Sequence, residues 1–301
     1  MTGRCPLCDL EVEGKFIRRD WFTHFTCGQC GTKTLVESEG EPAYPDEYFG
    51  GENKKKFGGI AGTARKYWHE RRARTVRSLV KGAGRRLYDV GCGDGLFLEA
   101  CRTQGFEVGG CEPMDKAREQ AESHLRCSIH QAAFDKTSAP YDIVTTWQVI
   151  EHMDNPIAYF RLVRENLVPG GVFAVSTVNM ESWQASIFGS KWLHLDPPRH
   201  LWLPKRKELE KTLIKEGFTI VERRWSFMEF GPIGYADSII NLVDQKRDRL
   251  LKCLKTGFPG IRNKLVWLLA AFLTPFAILL AAGEALFARP STFEIYAIKT
   301  S

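Results

Sequence analysis

LYDVGCGDGLFLEA, residues Leu87–Ala100, reads as a strand that runs into a glycine-rich turn and then a helix. Leu87, Tyr88 and Val90 are strand formers, and Leu96–Ala100 opens the helix. Gly91, Gly93 and Gly95 remove side chains where the backbone must turn tightly and lie against a ligand. Backbone N–H groups and a helix N-terminus then meet a polar ligand at the carboxyl end of a parallel strand. Asp89 precedes the first glycine, and Glu112 closes the next strand-like run, Glu107–Cys111. A carboxylate at that second strand end can accept both ribose hydroxyls of an adenosine. A dinucleotide-binding dehydrogenase would place its third glycine farther into the helix, where Leu96 and Phe97 stand here.

Downstream come the apolar run Tyr141–Trp147 (YDIVTTW), then Gln148–His152 (QVIEH), the turn Asp154-Asn155-Pro156, and Leu167–Thr177 (LVPGGVFAVST). With DVGCGDG and Glu112, this set resembles the class I S-adenosylmethionine-dependent methyltransferases over about Leu79–Arg224. Trp192–Leu203 (WLHLDPPRHLWL) and Gly217-Phe218 are similar to the bacterial group that methylates sugars, lipids and quinones. Helices are expected at Pro113–His124, Pro156–Asn166 and Lys205–Glu216, with strands at Ser128–Gln131, Gly170–Thr177, Phe218–Trp225 and Thr292–Lys299. The fold class expected is α/β: a seven-stranded, doubly wound, Rossmann-like methyltransferase sheet, its last strand antiparallel beside the sixth by the resemblance.

The resemblance implies S-adenosylmethionine as cofactor. The glycines admit it to the backbone, and Asp89 orients the loop or the aminoacyl group. Glu112 takes the ribose, Met114 covers the adenine, Ala133 and Phe134 flank its other side, and Gln148 faces the sulfonium. Methyl transfer to a hydroxyl needs a base, and histidine suits neutral pH. His152 and His200 are the candidates; Glu151 and His152 alternatively cap the helix that begins near Pro156. In the related quinone enzymes an acidic residue beside the Glu-His pair helps hold a divalent cation. Val149 and Ile150 stand there in this chain, so that metal is not carried over. A helix over Thr63–Val80 is expected to close over the cofactor, with Tyr67 approaching its methionine end.

Cys5-x-x-Cys8 and Cys27-x-x-Cys30 are separated by 18 residues, the spacing of a structural zinc ribbon. Phe16, Ile17, Trp21, Phe22 and Phe25 form a small apolar set that zinc would help to order. His24 reads as a packing or surface residue. The other five of the nine cysteines are scattered, which fits a reducing compartment. MTGRCPLCDLEVEG has no apolar core of a signal peptide, so the catalytic part is expected in the cytoplasm. The expected organisation is a ribbon at 1–36, a linker at 37–62, the core at 63–225, an insert at 226–290 and the last strand at 291–301.

Leu265–Gly283 runs 19 residues without a charge, nearly a bilayer span. A single crossing would strand the last core strand on the wrong side of the membrane. The expected forms are a helical hairpin broken near Thr274-Pro275, a segment lying in the interface, or a cap. Asp244–Lys264 carries Lys246, Arg247, Arg249, Lys252, Lys255, Arg262 and Lys264 against Asp244 and Asp248, most of the chain's net charge of +6. That favours an anionic membrane surface, and a hydroxyl of a saccharide, lipid-linked saccharide or lipid as acceptor; a buried helical pair or dimer interface is the alternative. Two other readings are an RNA methyltransferase that grips RNA with its ribbon, and a non-catalytic membrane scaffold.

Overall fold

The computed structural model describes residues 1–19, 22–38, 60–80, 82, 84–131, 134–135, 140–244, 249–256 and 260–300. Most of the expected linker, together with Trp21 and Ala133, lies outside them.

Four strands, β1 (Thr2–Cys5), β2 (Leu10–Arg19), β3 (Phe22–Cys27) and β4 (Lys33–Ser38), form an N-terminal antiparallel meander. Helix α1 (Ile60–Leu79) leads to the α/β core. There β5 (Arg86–Val90), α2 (Leu96–Thr103), β6 (Glu107–Cys111), α3 (Asp115–Leu125), β7 (Tyr141–Trp147), α4 (Pro156–Asn166) and β8 (Leu167–Val178) alternate. After α5 (Trp183–Phe188) come the short β9 (Trp202–Leu203), α6 (Arg206–Lys215) and β10 (Phe218–Trp225). The insert holds α7 (Phe227–Val243), α8 (Arg249–Thr256) and α9 (Gly260–Leu286), and β11 (Thr292–Lys299) closes the fold.

The main sheet runs in the order β10-β11-β8-β7-β5-β6, with β8, β7, β5 and β6 parallel and β11 antiparallel to both neighbours. Ile143, Val144, Val172, Phe173 and Ala174 are fully buried, as sheets covered on both faces demand. This is the doubly wound α/β architecture. Among the described residues the sheet has six strands. The seventh, expected at Ser128–Gln131, is reduced to one parallel bridge between Cys111 and His130.

β9, from the loop before α6, pairs with β4 and makes the N-terminal meander a five-stranded sheet. One expectation changes: the apolar insert is not broken at Pro275, since α9 runs unbroken through it, with the Thr274 hydroxyl turned back to the Ala270 carbonyl at 2.7 Å. The hairpin is instead α7 against α9. They approach so closely that a Cβ on Gly231 would lie 2.9 Å from Ala281.

Candidate active site and four-cysteine centre

The switch point of the sheet lies between β5 and β7, where a crevice opens at the strand carboxyl ends. Gly91 and Gly93 hold φ of 72° and 56°, open to glycine at little cost. A Cβ on Gly91 would strike Val149 at 2.6 Å, whereas Gly93 faces open space. Gly95, at the head of α2, packs on Ala121. Glu112 is 5% exposed, and its two oxygens accept from the Gly93 and Met114 amides at 2.9 Å. Burial raises its pKa against those two bonds. Asp89 lies under the loop, accepts from Thr145 at 2.6 Å, and is pushed up to about 7 by burial. Met114 is half-buried. Phe134 is committed to the core against Tyr88 and Tyr159.

Over this loop lies α1, by a face the sequence reading did not select. Tyr67 is exposed and set edge-on to Trp68. Arg65 pairs with Asp94 of the glycine loop at 2.8 Å, and His69 lies beside Phe97. Arg72 stacks on Trp147 at 4.6 Å. Both ring nitrogens of His69 and the indole N–H of Trp147 are buried without a hydrogen-bond partner among the described residues. Burial, with Arg72 and Arg65 nearby, lowers the His69 pKa to about 3. Orphaned polar atoms where α1 meets the end of β7 fit a crevice that takes a polar ligand. The stripe Arg65–His69–Arg72 has helical spacing, the signal that would have found it.

Gln148 sits at φ 56° just past β7, an uncommon conformation for its type and one that clusters at functional sites. It is held by Ser176 through its amide nitrogen and through its side chain at 3.1 Å. Then follow Glu151 and His152, whose ligand atoms lie within 4.8 Å of one another and of His200. They do not cap α4; Asn155 does, accepting from Ala158 at 3.0 Å. His152 Nδ1 meets the Arg199 carbonyl at 2.8 Å, and His200 Nδ1 meets that of His194 at 2.7 Å. An imidazole whose Nδ1–H is held by a carbonyl presents the Nε2 lone pair. His200 is buried, and that burial takes its pKa well below the ordinary value; His152 keeps part of its surface open. Glu151 is buried, with one oxygen taken by Thr177 at 2.8 Å and the other without a hydrogen-bond partner among the described residues. Such a trio can accept a proton or hold a divalent cation.

At the N-terminus the four sulfurs converge, Cys5 to Cys30 at 3.5 Å and Cys8 to Cys27 at 3.8 Å, with all four within 4.8 Å. Tetrahedral zinc with bonds of about 2.3 Å separates its sulfurs by about 3.8 Å, so the cluster has the size of a zinc cage. His24 is buried and packs edge-on to Phe22.

A profile of a methyltransferase-domain family matches residues 62–223. A ubiquinone biosynthesis O-methyltransferase of Cereibacter sphaeroides is 31% identical over 176 residues, which cover 52% of this chain and 68% of the relative. The protein of that name from Ruegeria pomeroyi is 32% identical over 171 residues, with the same coverage. Among solved structures, a mycolic acid cyclopropane synthase complexed with S-adenosylhomocysteine matches with a TM-score of 0.54 at 15% identity, covering 82% of this chain and 88% of that one. A putative sarcosine dimethylglycine methyltransferase from Galdieria sulphuraria gives 0.52 at 11% identity, covering 80% and 87%. At these identities the structural likeness speaks for the fold. The four cysteines and the apolar insert lie outside the span of the family profile.

Proposed function

The chain belongs to the class I S-adenosylmethionine-dependent methyltransferases, and from that premise we propose that it O-methylates a hydroxyl on a lipid-borne acceptor at a membrane surface. The observation that carries the acceptor class is α9. Its inner face is small: Val266, Ala270, Ala277 and Ala281 are buried against the body. Its outer face carries Leu265, Trp267, Leu268, Phe272 (68% exposed), Phe276 and Leu279 (70% exposed). A helix built for water turns its large apolar residues inward; this one is inside out. No charge interrupts it between Lys264 and Glu284, and Glu284 is buried, holding the Gln184 amide at 2.9 Å. The exposed Lys252, Arg262 and Lys264 near its N-terminal end suit an anionic surface, each contributing on the order of 1 kcal/mol. The pairing of β10 with β11, which flank the insert, argues against a single crossing and supports α9 lying along the surface.

The names of the curated relatives favour a quinone-type phenol as the hydroxyl bearer. The saccharide expected from the sequence gains no support from them, and a lipid-linked saccharide shares only the apolar tail. The RNA reading is weakened by β9, which occupies the outer edge of β4.

When bound, S-adenosylmethionine supplies a methyl group already activated on a sulfonium. Glu112 would hold the ribose hydroxyls, Met114 would cover the adenine, and Gly93 would admit the backbone contact. His69 and Trp147 offer N–H groups to the aminoacyl end, and Gln148 lines the reacting side. Of the two histidines, His152 is the more open. It would take the acceptor's hydroxyl proton on Nε2, leaving that oxygen free to receive the methyl group, and His200 would brace its ring. Cys5, Cys8, Cys27 and Cys30 hold one structural zinc.

Glu112→Ala is expected to weaken cofactor binding tenfold or more, since a charge-assisted hydrogen bond is worth roughly 1.5–3 kcal/mol. Isothermal titration checks this, and unchanged affinity removes Glu112 from the ribose. For the membrane, full-length protein is expected to sediment with vesicles containing phosphatidylglycerol. Phe272→Ser with Leu279→Ser should release it, because each buried side chain contributes roughly 1.5–3 kcal/mol. Wild-type protein left in the supernatant would sink the membrane reading.

A further inference from the structure

We infer that the four-cysteine sheet is a clamp that positions the catalytic histidines, reaching them through β9 and the loop before it. The inference rests on the reading of His152 as the proton acceptor. The path is short and made of backbone. Lys33 and Thr34 of β4 pair with Leu203 and Trp202. The next amide, Leu35, donates to the Leu201 carbonyl at 2.7 Å, and the Leu201 amide donates to the Glu151 carbonyl at 2.8 Å. Two residues earlier, the Arg199 carbonyl holds His152 Nδ1, and the neighbouring His200 ring lies 4.8 Å from that of His152. Trp202 completes the grip. Its ring is fully buried in the core cluster that includes Cys5, Leu7, Cys27 and Cys30, and its indole N–H donates to the Met153 carbonyl at 2.9 Å. The loop that orients His152 is therefore fastened on one side to the cysteine sheet and on the other to the Glu151–Met153 turn.

The arrangement explains why a sheet that touches no ligand loop directly is part of the enzyme. A two-residue strand is too short to hold a position unaided. Pairing with β4, whose own fold is fixed by the cysteine cluster, supplies that stiffness. The glycine loop, Glu112 and α1 stand on other elements, so the clamp acts on the histidines and leaves cofactor binding alone.

The test is Leu35→Pro in the zinc-loaded full-length protein, with Leu35→Val as the conservative control. Proline removes the amide that reaches Leu201 and leaves every cysteine in place. Trp202→Phe, which keeps an aromatic ring there but is smaller and loses the indole bond to Met153, is the second variant. Zinc content and S-adenosylmethionine affinity are expected to stay at wild-type values in all three. Hydrogen exchange is expected to quicken at residues 150–153 and 199–203 in Leu35→Pro and Trp202→Phe, but not in the glycine loop. With a polyprenyl catechol in anionic vesicles as probe acceptor, kcat is expected to fall about 10- to 100-fold in Leu35→Pro, the usual cost of loosening a positioning contact, with the cofactor KM unchanged. Leu35→Val should retain wild-type turnover. Unaltered exchange at residues 150–153 in both variants would overturn the clamp. Wild-type protein inert toward the probe would count against the acceptor reading while the exchange arm still decides the clamp.

Discussion

His152→Ala is expected to lower kcat for methyl transfer by about 10²–10⁴-fold, the range for loss of a positioned general base, while S-adenosylmethionine binds as before. The split follows from where the residue stands. His152 lies beyond β7, with Nδ1 pinned to the Arg199 carbonyl, whereas Glu112 closes β6 and bonds the Gly93 and Met114 amides. Added imidazole should restore part of the rate to His152→Ala, because the missing group is a base and not a fold element. His200→Ala should cost less, about 10- to 100-fold, if His200, buried with its ring 4.8 Å from that of His152, serves to brace it. Measured with the same probe acceptor, a His152→Ala kcat within a few-fold of wild type would take the base away from this histidine.

Arg72→Met is expected to destabilise the fold by about 3–5 kcal/mol, the cost of removing one partner from a buried ion pair. Arg72 reaches Glu294 of β11 at 3.0 Å and Glu229 of α7 at 2.6 Å, and its guanidinium covers Trp147. Glu294 is fully buried, and also receives Arg71 at 2.8 Å and the hydroxyls of Ser226 and Tyr296. Burial alone would raise the Glu294 pKa, but Arg72 and Arg71 outweigh it and hold it below the ordinary value. A carboxylate with a depressed folded-state pKa stabilises above its unfolded value of 4.5, and that stability drains as pH falls through the folded value. In Arg72→Met that acid-side loss should shrink, and the melting temperature near neutral pH should drop by about 10 °C. Adding Glu294→Gln should return part of the loss, because the stranded charge goes with it. A melting point within about 2 °C of wild type would mean the network contributes little.

The parts of the fold legible in the sequence are those fixed by local chemistry. The turn at Leu87–Ala100 is one, because its glycines adopt positive φ that other residues resist. The two cysteine knuckles and the acid closing β6 are others. What stayed hidden depends on partners far away in the chain. Arg65, His69 and Arg72 form a polar stripe on a helix, and polar stripes normally face water. This one faces the body, and at Arg72 it is buried, because Asp94 of the glycine loop, Glu229 and Glu294 supply partners from distant parts of the chain. Trp202-Leu203 is too short to show a strand period, and its partner β4 lies more than 160 residues earlier. The proline rule pointed to a break at Thr274-Pro275, yet α9 continues, since its Ala face is held along α7 and its proline sits on the open side.

The candidate histidines were visible as residue types, His152 after a strand and His200 in the stretch Pro197-Pro198-Arg199-His200. Their geometry was not, because it comes from carbonyls of Arg199 and His194 in a loop without periodicity. The sequence also left open whether the cysteine module grips RNA. The pairing of β4 with β9 narrows that choice, since it uses the module's edge within the chain.

The most direct test of the central claim is transfer of the methyl group from methyl-tritiated S-adenosylmethionine by full-length, zinc-loaded protein. The reaction would contain anionic vesicles doped with a total bacterial lipid extract and, in parallel tubes, total RNA and soluble saccharides. Label should pass into the organic phase of the vesicle tube, and should fall away with Glu112→Ala, His152→Ala and the double serine substitution on α9. Label found in RNA or soluble sugar, or organic-phase label indifferent to those three changes, would contradict a membrane-surface methyltransferase acting on a lipid-borne hydroxyl.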